Sequence, residues 1–433
     1  MIIHVVQPGD TLYSLAVEYG VPLSQIAGDN GLWPSGGTPA GPTILVPGQA
    51  LVIRFPKTIH TVRPGDTLSS VTREYGVSLR TLYQNNPTLA QRNAIWPGET
   101  LVIAYDQEPG PAISVNGYAY PFISDTLLRS SLPSLTYVTP FTYGFTPTGE
   151  LVPLNDDRII DAAEFFGTAP LMHLSTLTAE GGFSNDLAHL VLNAPDLQDV
   201  LIENIINTLR EKRYQGLDVD FEYVFARDAA AYAAFLGKAA QRLNPLGFPV
   251  IAALAPKTSA DQPGLLYEGH NFRAIGQAVN QVLVMTYEWG YTYGPPMAVA
   301  PLPNVRQVLE YALTEIPANK IYMGVPNYGY DWPLPFVQGE TRATSISSQR
   351  AIELARRYRS DIQYDTRAQS PWFRYTDERG VIHEVWFEDA RSIRAKLALI
   401  PEYGLVGAGY WNLMRDFPQN WVVLSSLYTI RQA

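Results

Sequence analysis

Cysteine is absent from the 433-residue sequence, which excludes a disulfide framework and thiol chemistry. No apolar run reaches the ~18 residues of a membrane-spanning helix. The start, MIIHVVQPGDTL, lacks the basic segment and long apolar core of a secretory signal. The sequence alone therefore predicts a soluble protein made in the cytosol without a signal peptide. The six histidines are scattered without ligand spacing, so we expect no metal and no cofactor.

Basic residues are also scarce, with 31 Lys and Arg against 41 Asp and Glu, and the net charge is −10. This balance argues against nucleic acid as the main partner. Apolar residues make up 46% of the chain and charged residues 17%, so large cores can form. The length predicts two or three domains, and we expect a monomer with no membrane partner.

A duplicated segment occupies roughly the first hundred residues. HVVQPGDTLYSLAVEYGV begins at His4 and HTVRPGDTLSSVTREYGV at His60, and the copies close with VPGQALVI and WPGETLVI. The first copy predicts a strand, a helix capped by Asp10 and starting at Thr11, a second short helix and a closing strand. The offset between copies drops at the end because copy one has the extra loop WPSGGTPAGPT. Such duplicates are typical of autonomous small modules.

These copies resemble the LysM domain in their paired QPGDTL and RPGDTL starts and their matching closing strands. The resemblance implies binding of glycans that contain N-acetylglucosamine, such as peptidoglycan or chitin. Two tethered copies would raise avidity without new contacts. The alternative is that Gly-Asp-Thr forms only a turn and a helix cap. The binding loops implied by the resemblance contain Gly9, Asp10, Thr11, Leu12 and Asn30 in the first copy, and Gly65, Asp66, Thr67, Leu68 and Asn86 in the second.

The rest of the chain is predicted to be one large domain. YDQEPGPA predicts a linker at 106–111, which follows modules at 1–54 and 58–105. Over 112–433, eight short apolar runs alternate with segments of helical composition, which indicates an α/β fold with a parallel sheet. Eight such units predict a TIM (β/α)8 barrel, and an open doubly wound sheet is the alternative. About residues 333–400, before the last strand, we expect a small α+β insertion with a hairpin.

Three acids occupy alternate positions of GLDVDFEYV, the fourth predicted strand of the barrel. Side chains alternate faces along a strand, so Asp218, Asp220 and Glu222 share one face and the apolar residues share the other. We expect the apolar face to pack on helices and the acids to point inward. At ~7 Å spacing and an effective dielectric near 20, two charges repel by roughly 2.4 kcal/mol.

This crowding predicts that at least one carboxyl of the row retains its proton. Glu222 is the outermost acid and lies towards the C-terminal mouth, where barrel enzymes carry out their chemistry. A protonated carboxyl there is suited to act as a general acid. The alternative is an edge strand with a solvated acidic face.

The run QGLDVDFE is similar to the active-site strand of glycoside hydrolase family 18, Asp-Gly-x-Asp-x-Asp-x-Glu, with Gln215 where the first Asp is common. VMTYEW resembles the family's Met-x-Tyr strand, GVPNYGYDW its seventh strand and GAGYWNL its eighth. The resemblance covers 112–433 and implies a retaining, substrate-assisted β-N-acetylglucosaminidase. With two LysM-like modules in front, the chain looks closest to the spore cortex-lytic SleL/YaaH type. That type is made without a signal peptide, which fits the N-terminus here. The resemblance implies peptidoglycan of the spore cortex as substrate and a spore location.

The resemblance also implies residue roles. Glu222 would protonate the departing oxygen, and Asp220 would hold the substrate's acetamido group. Asp218 would tune Asp220, and Tyr287 would donate its hydroxyl to the acetamido oxygen. Candidate substrate contacts are Trp411, Met285, Glu288, Tyr328 and Asn327, and the alternative for the last three is that they are satisfied rim residues. Two other functions stay open, a chitinase and a non-catalytic glycan-binding protein of the spore coat.

Overall fold

The computed structural model describes residues 1–32, 44–92, 94–178 and 180–433. The extra loop of the first repeat, residues 33–43, therefore lies outside the described residues. A parallel sheet of short strands forms the centre of the larger domain. In barrel order, its strands one to eight are Gly110–Ala119, Tyr137–Pro140, Ala169–Pro170 with Met172–Ser175, Leu217–Asp220, Val250–Leu254, Gln281–Val284, Ile321–Pro326 and Gly407–Trp411.

The sheet forms a nearly closed barrel because its third strand pairs on both sides. The first piece of that strand pairs with strand two, and the second piece pairs with strand four. Strand eight pairs with strand one, so each strand has a parallel neighbour on both sides. The predicted (β/α)8 class is confirmed, and all eight predicted apolar runs contribute a barrel strand.

Helices cover the outside of the barrel. Leu217, Val219 and Phe221 are completely buried, and the Phe221 ring stacks on Tyr232 and Phe235 of an outer helix. The predicted outward packing of these apolar residues is thus confirmed. None of the described helices is long and apolar enough to cross a membrane. The principal helices of this domain are Asp125–Ser131, Asp157–Phe166, Asn185–Leu192, Pro195–Glu211, Ala229–Leu243, Phe272–Ala278, Leu302–Glu315, Ala390–Leu397, Leu399–Tyr403 and Pro418–Leu427.

A five-stranded antiparallel sheet, here called the insertion sheet, lies between barrel strands seven and eight. Its hairpin of Ser370–Thr376 and Ile382–Trp386 confirms the prediction. The sheet begins earlier than expected, at Gly329, directly after strand seven. Its other elements are the strands Gly329–Pro333, Thr344–Ile346 and Gln363–Asp365 and the helix Ser348–Arg357.

The N-terminal repeats fold as two modules with the predicted order of strand, helix, helix and strand. The prediction that Asp10 caps the first helix is wrong. Thr11 is the cap, because its side chain accepts a hydrogen bond from the Ser14 N–H and the helix begins at Leu12. Asp10 accepts from the Gln7 N–H instead. The modules comprise Ile2–Val5, Leu12–Tyr19, Leu23–Asp29 and Ala50–Ile53, then Pro56–Thr61, Leu68–Tyr75, Leu79–Asn85 and Thr100–Tyr105.

The boundary between the modules and the barrel differs from the predicted linker at 106–111. Barrel strand one begins at Gly110, inside that stretch. Its first residues pair with the last strand of the chain, Tyr428–Ile430, which extends the sheet beyond the barrel proper. A proline-rich stretch can still enter a strand when it lies at the start, and Pro111 does so here.

Candidate active site

The acidic row lies at the C-terminal end of barrel strand four and runs from the barrel interior to its mouth. Asp218 is completely buried, the Asp220 side chain is 16% exposed, and Glu222 is half-buried two residues beyond the end of the strand. The C-terminal face is where barrel enzymes place their chemistry. The three carboxyl groups thus experience three different degrees of solvation within one short segment.

Asp218 is the innermost acid and is held by a single tyrosine. The Tyr118 hydroxyl donates to Asp218 Oδ2 at 2.6 Å, while Oδ1 is buried without a partner among the described residues. Burial raises the pKa of Asp218 to about 6, and the hydrogen bond from Tyr118 opposes this rise. The group is therefore partly protonated near neutral pH.

Asp220 and Glu222 also favour their neutral forms. Burial raises the pKa of Asp220 well above its usual range, and the charges of Glu222 and Asp218 add to the effect. Burial likewise raises the pKa of Glu222, with a smaller rise from Glu288 and an opposing hydrogen bond from Tyr223. The crowding predicted from the strand spacing is present, but desolvation is the larger cause of each shift.

His173 approaches the row without neutralising it. Its Nε2 lies 3.8 Å from Asp220 Oδ2, and its Nδ1 is 2.5 Å from the Thr142 hydroxyl. Burial lowers the pKa of His173 to about 3, so the ring is neutral at ordinary pH. The acids therefore gain no stabilising positive charge from this neighbour.

Tyr287 follows barrel strand six and is almost completely buried. Burial raises the pKa of its hydroxyl, and the charges of Asp220 and Glu222 raise it further, so the hydroxyl stays protonated beside the acids. Gly324 of strand seven leaves space for this ring, because a Cβ there would lie 2.7 Å from Tyr287 Cε1. Met285, two residues earlier, is half-buried against the main core.

Glu288 occupies the mouth next to Tyr287, with a left-handed backbone at φ 68°. Tyr328 donates a hydrogen bond to its carboxylate, and the Tyr330 hydroxyl donates at 3.2 Å. Burial raises the pKa of Glu288, although the residue retains substantial exposure to solvent. Tyr330 belongs to the first strand of the insertion sheet, so the insertion contributes directly to this wall of the mouth.

Trp411 ends barrel strand eight and is half-buried in an aromatic cluster. Its ring centroid lies 5.0 Å from Phe141, 5.8 Å from Tyr118 and 6.1 Å from Tyr120. Tyr118 also bonds to Asp218, so this cluster and the acidic row are continuous. The partly exposed indole provides an apolar face with a polar N–H at the edge, which suits contact with a sugar ring.

Asn327 is almost completely buried, and its amide nitrogen is already engaged. It donates to the carbonyls of Asn412 and Arg415 at 3.0 and 3.1 Å, which holds the loop after strand eight. Its Oδ1 is buried without a partner among the described residues. The structure therefore gives this side chain a role in positioning the loop that follows Trp411.

Four site residues were not identified from the sequence: Tyr118, Phe141, His173 and Tyr330. A signal for the first was present in ISVNGYAY, where polar and aromatic residues occupy every second position. Ser114 and Asn116 bond across the barrel interior to Tyr322 and Thr139, and Tyr118 continues their row. The other three carry no local signal, because their positions depend on neighbouring strands.

The predicted glycan loops of the modules form internal hydrogen bonds. The Asn30 amide exchanges hydrogen bonds with the Val52 backbone, and the Asn86 amide does the same with Val102. Thr67 caps its helix as Thr11 does. Asp10 and Asp66 lie 3.0 and 2.9 Å from His4 and His60. Gly9 and Gly65 are exposed, while Leu12 is buried and Leu68 half-buried.

Over the described ranges, no group of three or more His, Asp or Glu side chains could hold a metal ion.

Comparison with known families gives two matches. The profile of the glycosyl hydrolases of family 18 matches residues 138–416. The LysM domain profile matches residues 4–54 and 60–104. The first match spans well over half of the chain and includes the acidic row, Tyr287 and Trp411.

Individual relatives resemble the chain along most of its length. The cortical fragment-lytic enzyme of Bacillus anthracis is 38% identical, with 98% of each chain covered. The crystal structure of the spore cortex-lytic enzyme SleL of Bacillus megaterium QM B1551 is 40% identical, with a TM-score of 0.82, and covers 100% of this chain and 99% of that one. A chitinase structure from Chromobacterium violaceum ATCC 12472 is 26% identical, with a TM-score of 0.68, over 73% of this chain and 99% of that chain.

Proposed function

The chain belongs to the glycosyl hydrolases of family 18 and carries two LysM domains before its barrel, and we propose that it hydrolyses peptidoglycan of the bacterial spore cortex. The observation that carries the proposal is the row of three carboxyl groups with raised pKa values at the mouth of the barrel. The names of the Bacillus relatives support the cortex as substrate and the spore as location.

In the proposed reaction Glu222 is the general acid. Its pKa is raised by burial, so a proton is available for the departing glycosidic oxygen. After the leaving group departs, the Glu222 carboxylate takes a proton from water, which then attacks the anomeric carbon. Because the substrate's acetamido oxygen and then water each attack the anomeric carbon with inversion, the product would retain the configuration of the substrate.

The nucleophile in this proposal is the carbonyl oxygen of the substrate's own 2-acetamido group. Asp220 accepts the acetamido N–H and, in its ionised form, stabilises the positive charge that develops as the ring forms. Tyr287 is protonated beside the acids and can donate to the acetamido oxygen. Asp218 adjusts the ionisation of Asp220. Trp411 lies beneath the sugar at the point of cleavage, in the position that its half-buried aromatic cluster allows.

The test is digestion of cortex fragments by the full chain and by Glu222→Gln. The wild type should release products with new reducing N-acetylglucosamine ends, read by mass spectrometry. The variant keeps the size and a carbonyl oxygen of the side chain, but its amide has no acidic proton to transfer. We expect its turnover to fall by roughly 10²–10⁴-fold, while binding of the fragments is retained.

Equal product release by both proteins, or none by either, contradicts the proposal. Retained glycan binding with no cleavage by the wild type would support the alternative of a non-catalytic binding protein. Exo and endo cleavage are distinguished in the same experiment, because only an endo enzyme shortens long strands from within.

A chitinase is the second candidate function. The similarity to a chitinase structure over 73% of the chain favours it, and the same carboxyl groups serve chitin equally well. Parallel digestion of chitin oligomers and cortex fragments separates the two. Faster turnover of chitin oligomers than of cortex fragments of equal length would favour the chitinase.

A further inference from the structure

The two LysM modules contact the barrel domain through different faces, although they are duplicates. In the first module, Val46 is buried in the hydrophobic cluster of the insertion sheet. The Pro47 carbonyl accepts from the Ile362 N–H at 2.9 Å, and the Gly48 carbonyl accepts from Arg391 at 3.0 Å. The closing Pro-Gly turn of this module is therefore part of its interface with the barrel domain.

The second module leaves the equivalent turn open. Trp96 precedes its Pro-Gly turn as Val46 precedes the first, and Trp96 is 65% exposed. A Cβ at Gly98 would meet nothing within 4 Å. This module docks through its second helix instead, where Arg80 Nε donates to the Pro133 carbonyl at 2.6 Å. The exposed tryptophan is thus not needed for docking.

A cleft of about 950 Å³ lies between the two modules, and Trp96 forms part of its wall. Its volume is in the range of sites that bind small molecules and short polymers. The first module contributes residues around its second helix, including Gln25 and Gly28. The second module contributes residues on both sides of Trp96, including Thr88 and Thr100.

The lining of the cleft has two acids, Asp29 and Glu99, and two bases, Lys57 and Arg92. Glu99 pairs with Arg92, and Asp29 pairs with the buried Arg54 behind the wall. With these pairs formed, Lys57 is the one charge left over in the described lining, which is too little to favour a polyanion such as nucleic acid. The lining suits an uncharged chain rich in hydroxyl and amide groups.

The lining carries polar side chains that can donate and accept hydrogen bonds, among them Gln25, Thr88 and Thr100. A carbohydrate supplies both donors and acceptors from its hydroxyl and acetamido groups, while the exposed indole offers a face for the sugar ring.

Arg54 holds the two modules in a fixed relation across the cleft. Its guanidinium donates to Asp29 of the first module at 2.9 Å and to the Asn85 carbonyl of the second at 3.2 Å. The same group stacks on Tyr105 at 3.9 Å. Both partners of the ion pair are almost completely buried. The cleft is therefore formed before any ligand arrives, which reduces the ordering cost of binding.

We propose that this inter-module cleft binds a strand of N-acetylglucosamine-containing glycan, with Trp96 stacked on one sugar ring. The two modules then form one shared site and not two equivalent ones. Val46, the position equivalent to Trp96 in the first module, is buried against the insertion sheet and cannot contact a glycan. The identity of the glycan rests on the proposed function. The Gly-Asp-Thr loops do not line this cleft, and Thr11 and Thr67 cap the first helix of their modules.

The test is co-sedimentation of the full chain with purified insoluble peptidoglycan. Trp96→Ala should weaken binding by roughly tenfold, and Trp96→Phe, which keeps an aromatic face, should retain most of it. Phe165→Ala is the matched control, because Phe165 is also an exposed aromatic residue, 61% exposed, on an outer helix of the barrel. The thermal midpoint of each variant verifies folding.

Sedimentation of Trp96→Ala equal to that of the wild type overturns the inference, and so does an equal loss in Phe165→Ala. The proposed function fails separately. A wild type that sediments but releases no products from cortex fragments would contradict the hydrolase while leaving the cleft in place. A wild type that cleaves soluble fragments but does not sediment would contradict the cleft alone.

Discussion

Asp218 lowers the stability of the fold at neutral pH, because its carboxyl is buried within the candidate active site. It is completely buried, with one hydrogen bond from Tyr118, and burial raises its pKa to about 6. In the unfolded chain the same carboxyl ionises near pH ~3.9. Between these values the folded state binds more protons than the unfolded state. The free energy of unfolding therefore falls as the pH rises from about 4 to about 6.

Asp218→Asn should remove this pH dependence. The change in the free energy of unfolding, variant minus wild type, should be about 3 kcal/mol more favourable to the variant at pH 7 than at pH 4. The figure follows because each pKa unit corresponds to ~1.36 kcal/mol. Its hydrolytic rate should fall, because an amide at position 218 cannot take up the proton of Asp220, which has to ionise to stabilise the positive charge in the proposed reaction. Urea unfolding at both pH values and turnover of cortex fragments measure the two effects.

Asp416→Asn is the matched control for this experiment. Burial raises the pKa of Asp416 to about 6 as well, but this residue belongs to none of the groups assigned to the reaction. Its variant should show the same difference in stability between pH 4 and pH 7 while turnover stays near that of the wild type. A gain for Asp218→Asn that is identical at both pH values would contradict the argument.

At the scale of elements, barrel strand seven determines where Tyr287 can lie. A methyl group on Gly324 would lie 2.7 Å from Tyr287 Cε1 and 2.7 Å from the Val284 carbonyl oxygen. The first contact could relax by rotation of the ring, but the second is with backbone. A side chain at this position therefore has to displace the end of strand six.

Gly324→Ala should reduce turnover by roughly 10–100-fold, because a displacement of about 1 Å in a reacting group has costs of this size. The loss should appear in kcat more than in KM if Tyr287 acts in the transition state. Gly237→Ala is the control, since a Cβ there meets only Ala278 at 3.8 Å on an outer helix. Helix propensity makes that change neutral or slightly stabilising.

The double variant Gly324→Ala with Tyr287→Phe tests whether the loss of turnover in Gly324→Ala arises from a displaced Tyr287 hydroxyl. If Gly324 acts only by positioning the Tyr287 hydroxyl, removal of that hydroxyl should leave little for Gly324→Ala to change. Fully additive losses would contradict the positioning role and indicate a general disturbance of strand six.

The elements also show what the sequence could predict. Barrel strand four and its inward acids followed from the period of two in LDVDFE, which needs only local geometry. That Thr11 and not Asp10 caps the first helix did not follow from local geometry. In the Pro-Gly turn the Asp10 carboxylate accepts a hydrogen bond from the Gln7 N–H and is not used as the cap. The sequence also could not predict that the hydrogen-bonding groups of Asn30 are already engaged. One of its partners, Gln419, lies near the other end of the chain.

At the scale of the whole molecule, the first LysM module is a structural part of the barrel domain. Val46 shares a hydrophobic cluster with Ile362, Phe373 and Val385 of the insertion sheet and its flanks. Gln419, on the last long helix, donates to Asn30 and to the Ala50 carbonyl, both at 2.8 Å. Contacts of this kind couple segments that are far apart in sequence, so we expect the full chain to unfold in one cooperative transition.

Val46→Ala tests this coupling, and the repeat itself supplies the control. Truncation of a buried side chain in a packed cluster should lower the free energy of unfolding by about 1–3 kcal/mol. Trp96→Ala at the equivalent exposed position should change it by less than about 0.5 kcal/mol, although Trp is the larger residue. If the module were an independent appendage, Val46→Ala would shift a separate early transition and leave the unfolding of the barrel unchanged. Urea unfolding followed by tryptophan fluorescence and by loss of hydrolysis distinguishes the two outcomes, because the catalytic groups report only on the barrel.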